Sequence, residues 1–265
     1  MQKKVLNISI KSPQKGNPTD KYFFDYLNSL NNIIVFSPHL DDAVLSMGSL
    51  ISYFSQMKIK VEIITVFTEG SPGSSKAIQR HLENANFSDS KKYFQARRLE
   101  DLKALSELGS CAIQHLGYID AQWRRSKTGF SLYNDCRMIP INKEDYSLYD
   151  ELVLKFKKLF HSTEKTGVFA PLARGRHVDH QIVRNVANVV FPQAIFYQDF
   201  PYSGLYENED SFIQANNLTG FEWKGDYEAK KKAILRYNTQ RYSLFHKGPM
   251  NLPYEKYYIQ SISLL

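Results

Sequence analysis

A histidine and two adjacent aspartates, His39, Asp41 and Asp42, stand in "IIVFSPHLDDAVLSMG" directly after a run of apolar, partly β-branched residues. A second cluster, His177, Asp179 and His180, stands in "GRHVDH", a few residues after the apolar run "GVFA". Imidazole and carboxylate suit zinc, and a catalytic zinc commonly takes three protein ligands and keeps one position open for water. Adjacent aspartates at a strand-to-helix turn point in different directions, so one can bind an ion while its neighbour reaches the attacking water. His177 and His180 are three apart at a helix start, near enough for one to ligate and the other to face substrate. Each residue alone has a plainer role. Asp41 would cap the helix beginning near Ala43, and Asp179 or His180 would sit solvated in the first turn of its own helix. The combination is harder to explain that way.

The elements that must position these residues follow from periodicity. "NNIIVFS" and "KVEIITVF" read as buried strands, with "AVLSMGSLISYFSQM" as a helix between them. A helix in "YFQARRLEDLKALSELG" carries Leu99, Leu102, Leu105 and Leu108 at helical spacing and stops at Gly109. "CAIQHLGY" returns to the sheet, "YDELVLKFKKLF" is a helix and "GVFA" a strand. The helix "HVDHQIVRNVANVVF" offers Ile182, Val183, Val186, Val189 and Val190 as its apolar face, and "AIFYQ" is a further strand. Alternating strands and helices imply an α/β fold with a mostly parallel, doubly wound sheet. Ligands of such sheets sit beyond the carboxyl ends of the strands, which puts both clusters on one rim. The chain shows no internal repeat or linker, so residues 1–265 are expected to form one domain. The part after about residue 205 reads as a C-terminal extension of that domain.

Composition excludes several classes. Of 265 residues, 43% are apolar and 14% aromatic, enough for a packed core and too many for a disordered chain. No run approaches the roughly 18 apolar residues of a membrane span, and the first twenty residues lack a signal-peptide core. Cys111 and Cys136 show neither metal-motif spacing nor a disulfide framework, so a cytoplasmic protein is expected. The net charge of +7 comes from lysines and arginines spread along the chain, without a basic arm interleaved with aromatics. That argues against a nucleic-acid groove and leaves an anionic substrate open; assembly as a homo-oligomer is also open.

"SPHLDDAVLSMG" resembles the His-x-Asp-Asp signature of the PIG-L/LmbE-like deacetylase family, and "GRHVDH" resembles its second signature, His-x-Asp-His. The likeness runs on through "ARRLEDLKALSELG" and "LGYIDAQWR", and more weakly through "FYQDFPYS" and "KKAILRYNTQ". The resemblance implies a Rossmann-like three-layer sandwich. It also implies hydrolysis of an N-acetyl group on a GlcNAc-type amino sugar or glycoside by metal-activated water, with zinc, or iron in its place. On the matching positions, His39, Asp42 and His180 correspond to metal ligands and Asp41 to the general base. His177 corresponds to the histidine that stabilises the oxyanion, with Asp179 orienting the His177 ring. One position departs from the pattern: Ala43 stands where better-known members have glutamate, which weakens any transfer of substrate identity.

Further candidates carry less. Arg97, with Glu100, matches a family position near the substrate pocket, although a helical salt-bridge face would look the same. Asp120 and Arg124 would bind sugar hydroxyls or brace their loop. Arg174 and Arg176, flanking Gly175, would favour a phosphate or carboxylate on the substrate, or else be solvated loop charges. The loop 121–146 is expected near the site. Tyr197 and Tyr202 read as packing residues, and His81, His115, His161 and His246 lack a metal-like neighbourhood. Two other functions compete. A metal-dependent phosphoester hydrolase would normally need two ions. A non-catalytic nucleotide-binding Rossmann module would want a glycine-rich loop where this chain has "HLDDAV".

Overall fold

The computed structural model describes residues 18–72, 75–161, 163, 165–201, 210–225, 227–240 and 252–260. The elements run α1 (Pro18–Ser29), β1 (Asn32–Ser37), α2 (Asp42–Gln56), β2 (Lys60–Glu69), α3 (Lys76–Asn84), α4 (Ser90–Leu108) and β3 (Ala112–Ile119). They continue α5 (Tyr146–Leu159), β4 (Thr166–Pro171), α6 (Val178–Val190), β5 (Ile195–Tyr197), α7 (Asp210–Ala215), β6 (Leu218–Trp223), α8 (Glu228–Ile234) and β7 (Glu255–Gln260). Among the described residues seven strands form one sheet in the order β3-β2-β1-β4-β5-β7-β6. The first five are parallel, and β7 and β6 are antiparallel to their neighbours.

Strand β1 shows why the sheet is covered on both faces. Ile33 and Val35 join the core under α1, α2, α4 and α8, while Ile34 and Phe36 join the core under α5 and α6. A strand that is apolar at every position can be satisfied only between two helical layers. Successive connections run outward from β1 through β2 to β3, and then cross to β4 and β5 on the other side. The β1/β4 boundary is therefore the point where the winding reverses, and a crevice opens there at the carboxyl ends of the strands. Gly48 allows α8 to lie close on α2, since a Cβ at that position would stand 2.9 Å from Lys230 Cγ.

Two helices differ in face from the sequence pattern. On α4, Leu99 and Leu102 are exposed, and the buried face is Tyr93, Phe94, Arg97, Asp101, Ala104, Leu105 and Leu108. Burial is tolerable for the two charged members because each is paired: Arg97 meets Asp41, and Asp101 binds His115 and Tyr237. On α6, Ile182, Val183 and Val186 are buried as expected, but Val189 is exposed. Among the described residues no helix is long and apolar enough to cross a membrane.

Candidate active site

Both clusters stand at the β1/β4 crevice. His39, Asp41 and Asp42 lie in the turn from β1 into α2, and His177, Asp179 and His180 at the start of α6 after β4. Asp41 occupies the N-cap position of α2, yet its side chain makes no capping hydrogen bond. Ser37 does that work: its hydroxyl accepts the Ala43 N–H at 3.1 Å and donates to the His39 carbonyl at 2.7 Å. The capping role is excluded for Asp41. Asp179 and His180 are fully buried, which excludes the solvated-turn explanation for them.

Three donor atoms converge. His39 Nδ1 and His180 Nε2 are 3.3 Å apart, and each is 3.2 Å from Asp42 Oδ2. The opposite nitrogen of each ring is held by a carboxylate. His39 Nε2–H donates to Asp179 Oδ2 at 3.0 Å, and His180 Nδ1–H donates to Asp199 Oδ1 at 2.5 Å. Once each ring carries a single proton, as ion binding requires, those bonds keep that proton on the carboxylate side and turn the lone pairs of His39 Nδ1 and His180 Nε2 into the triangle, the arrangement usual behind metal-binding histidines. Burial alone would keep both imidazoles neutral. The carboxylates Asp120, Asp179 and Asp42 around His39 overcome it, and Asp42 and Asp199 raise His180 to about 9. So many carboxylates around two rings call for a cation. Ligand atoms of His39, His177 and His180 also lie within 4.8 Å of one another.

Asp41 points elsewhere. Its Oδ2 stands 3.5 Å from Arg97 Nη2, and the pair is shut away from solvent. Burial pushes the Asp41 carboxyl up to about 6; the Arg97 charge works against that, and the Asp42 charge adds to it. His177 caps α6, its Nδ1 accepting the Asp179 N–H at 3.3 Å. Burial and the neighbouring His39 charge hold this imidazole well below its ordinary range, so it is neutral with its proton on Nε2.

The weaker candidates divide. Asp179, expected to orient His177, places its carboxylate on His39 instead, because the turn at Ala121 donates its N–H to the same Oδ2 at 2.8 Å and fixes it there. Arg124 is buried and committed to ion pairs with Asp179 Oδ1 at 2.6 Å and Asp145 Oδ2 at 3.0 Å, so it braces the site and is not available to a sugar. Asp120 caps a short turn and lies 3.7 Å from His39 Nε2. Arg97 faces Asp41, and Glu100 binds the Thr239 backbone and hydroxyl. Arg174 is half-buried, while Arg176 is exposed. Ala173, Gly175 and Arg176 all have positive φ, a tight left-handed path through the loop. His39, Asp120 and Asp179 form a second group of potential ligands, but Arg124 already occupies the Asp179 carboxylate and would repel an ion there.

Tyr197 is core, its hydroxyl donating to the Phe36 carbonyl, whereas Tyr202 and His246 lie outside the described residues. His81 binds Tyr93, and His115 binds Asp101. Sequence reasoning missed Asp199 and Asp145. Asp199 had a signal, a carboxylate two residues past a buried strand on the same rim. Asp145 had none, since it sits in the short 3-10 turn Lys143–Asp145 that leads into α5 and reaches the site through Arg124.

The family model described as PIG-L, GlcNAc-PI de-N-acetylase, matches residues 34–191, from β1 past the end of α6. The chain belongs to the PIG-L family. Two curated relatives, from Streptomyces fradiae and Niallia circulans, are both named 2'-N-acetylparomamine deacetylase. Each is 26% identical to this chain, covering 78% and 79% of it and 72% and 80% of the relative. Among solved structures, a deacetylase of the teicoplanin biosynthesis pathway superposes with a TM-score of 0.72 at 24% identity, over 86% of this chain and 96% of its own. That likeness shows the fold of this PIG-L protein to be the α/β sandwich of such deacetylases.

Proposed function

We propose that this PIG-L deacetylase removes the N-acetyl group of an amino sugar or glycoside of the GlcNAc type, using a divalent ion held by His39 Nδ1, Asp42 Oδ2 and His180 Nε2. The observation that carries the proposal is the donor triangle. Tetrahedral zinc with bonds of about 2.0–2.1 Å has neighbouring ligand atoms about 3.3 Å apart, and the three edges here are 3.2, 3.2 and 3.3 Å. Zinc fits these nitrogen and oxygen donors, and iron(II) is an alternative occupant. The family description and the two relatives' names support the acetylated amino sugar as substrate class.

When bound, such an ion polarises the amide carbonyl and makes a water acidic enough to lose its proton near neutral pH. The chain's own residues do the rest. Asp41 is free of capping duty and takes the water proton; with a pKa near 6 it is ionised at neutral pH and still basic enough for the task. Arg97 keeps the Asp41 carboxylate charged and in place. Neutral His177 directs its Nε2–H at the oxygen that becomes an oxyanion, the kind of preorganised donor that lowers such barriers most. The proton on Asp41 then passes to the leaving nitrogen, which departs as the amine with acetate as co-product. Asp179 and Asp199 keep the two ligating rings in register. The reaction is assigned to the cytoplasm, in keeping with the free thiols of Cys111 and Cys136.

Metal content and amine release test the assignment together. Purified protein should carry about one divalent ion per chain and release free amine from N-acetylglucosamine conjugates. Exhaustive chelation should abolish turnover, and full activity after it would defeat the metal assignment. Asp41→Asn should keep the ion yet lose turnover by ~10²–10⁴-fold, because an amide cannot accept the proton. Release of phosphate from a phosphoester, with no amine from the conjugates, would favour the phosphoesterase alternative.

A further inference from the structure

Helix α2 carries Asp42 on its first turn and is buried at every position from Asp42 to Ser52. Apolar packing is non-directional, so a helix covered on all sides gains little from it that fixes its position along its own axis. Polar contacts do that. The Ser46 hydroxyl, one turn beyond Asp42, accepts the Phe200 N–H at 3.2 Å, and the Trp223 indole N–H donates to Ser49 Oγ at 3.3 Å. The firmest grip comes from β7. Glu255 Oε1 accepts the Ser49 N–H at 2.8 Å, and Oε2 accepts the Leu50 N–H at 3.1 Å. Within a helix those groups are normally spent on carbonyls four residues back. A carboxylate from another element seated on both pins the helix at that point.

Glu255 is itself held from two sides. Lys230 Nζ donates to Oε1 at 2.8 Å and the Tyr257 hydroxyl to Oε2 at 2.9 Å, so each carboxylate oxygen has a backbone donor and a side-chain donor. Glu255 and Lys230 are 3% and 2% exposed. A buried ion pair is weak evidence for stability, since apolar residues of similar volume often serve as well or better. Apolar residues could not, however, accept two backbone N–H groups and so fix α2 in direction and depth.

We propose that Glu255 is a positioning residue for the ion site: it sets α2 along its axis and, through α2, the reach of Asp42 Oδ2 toward His39 and His180. The proposal rests on the assignment of those three residues as ion ligands. Ser49 stands two turns past Asp42, about 10 Å along the axis, and α2 runs without interruption between them. A helix shifted at Ser49 therefore shifts Asp42 with it. Ligand sets must be placed to within about 0.5 Å, and Asp42 Oδ2 stands 3.2 Å from a nitrogen of each ring. Ser46 adds a link from the other side of the site, because Phe200 follows Asp199, whose carboxylate holds His180. Phe200, Lys230 and Glu255 all lie beyond residue 191, where the family match ends. The C-terminal section thereby takes part in holding a site whose ligands all lie before it.

The test measures the zinc affinity of the full chain by competition with a chromogenic chelator, which needs no turnover. Glu255→Gln keeps the shape but leaves one acceptor oxygen where two N–H groups need two. It should weaken zinc binding about ten-fold, the low end of what orienting partners cost. Lys230→Met/Glu255→Gln removes both charges together, so no buried ammonium is left alone, and should show the same loss. Leu27→Ala is the control: this fully buried residue of α1 touches neither α2's polar contacts nor the ion site, so the variant should melt at a lower temperature yet bind zinc as wild type does. Wild-type affinity in the folded Glu255→Gln and double variants would overturn the proposal. An equal loss in Leu27→Ala would do so too, because it would mark the effect as one of stability. If neither Glu255 variant folds, the pair serves stability and the proposal falls. If wild type binds no zinc, the ion assignment fails and takes the positioning role with it. If wild type binds zinc but releases no amine, the substrate assignment alone fails, and the affinities still decide the role of Glu255.

Discussion

Asp199→Asn isolates the contribution of a buried carboxylate that stands behind His180. Asp199 is buried, with 1% of its surface exposed, and each oxygen has one partner. Oδ1 accepts from His180 Nδ1–H at 2.5 Å and Oδ2 accepts from the Arg174 N–H at 2.8 Å. Asparagine has nearly the same shape but only one acceptor oxygen. If its amide faces His180, the ring must move its proton to Nε2, and the lone pair that completes the donor triangle is gone. If its oxygen faces His180, the amide N–H abuts the Arg174 N–H, two donors with nothing between them. Either mismatch leaves a buried polar group unsatisfied at a cost of about 1–3 kcal/mol, or about 5- to 150-fold in an equilibrium constant. That interval brackets the about 10- to 100-fold loss usual for partners behind a ligating histidine. Competition with a chromogenic chelator at equilibrium gives the zinc affinity directly, and a thermal melt of the ion-free protein confirms folding. A folded Asp199→Asn protein that binds zinc as tightly as wild type would refute the tautomer argument.

Two further outcomes follow from the charges around the site. Arg97→Gln removes the cation that lowers Asp41 against its burial, so the Asp41 pKa rises; because the base must be ionised, the acidic limb of the kcat/KM profile should move to higher pH, and a limb that stayed in place or moved down would contradict the pairing. Arg124→Met breaks a buried cation between Asp179 and Asp145, leaving both carboxylates without their shared partner, and should cost about 3–5 kcal/mol in a urea titration.

What was legible in the sequence depended on whether a residue's environment is local. The strand "NNIIVFS" and the helix after it are fixed by burial on two faces and by an apolar stripe, and both appear within a residue or two of the expected bounds. The rim position of both histidine clusters followed from topology alone, since a doubly wound sheet brings all its strand ends to one side. The helix α4 misled for a physical reason. Counting leucines assumes that the buried face is the apolar one, yet Arg97 and Asp101 are buried because Asp41, His115 and Tyr237, distant in sequence, satisfy them. No periodicity can register a partner that only the fold supplies.

The same limit explains the roles that shifted at the site. Asp179 and His177 are two apart, which suggests a pair, but α6 carries the Asp179 carboxylate toward the β1 turn and gives His177 only its backbone N–H. For the proposed mechanism this implies a division of labour between the two histidines of "GRHVDH". His180 and His39 are each locked by a carboxylate into the tautomer that an ion needs. Among the described residues no carboxylate holds the His177 ring in this way; it stays neutral, with its Nδ1 spent on a backbone donor. A histidine anchored through an N–H keeps its other nitrogen protonated, which suits an oxyanion and not a cation. The two roles therefore rest on which partner the fold gives each ring, and His177→Ala should accordingly lose turnover while the ion remains bound.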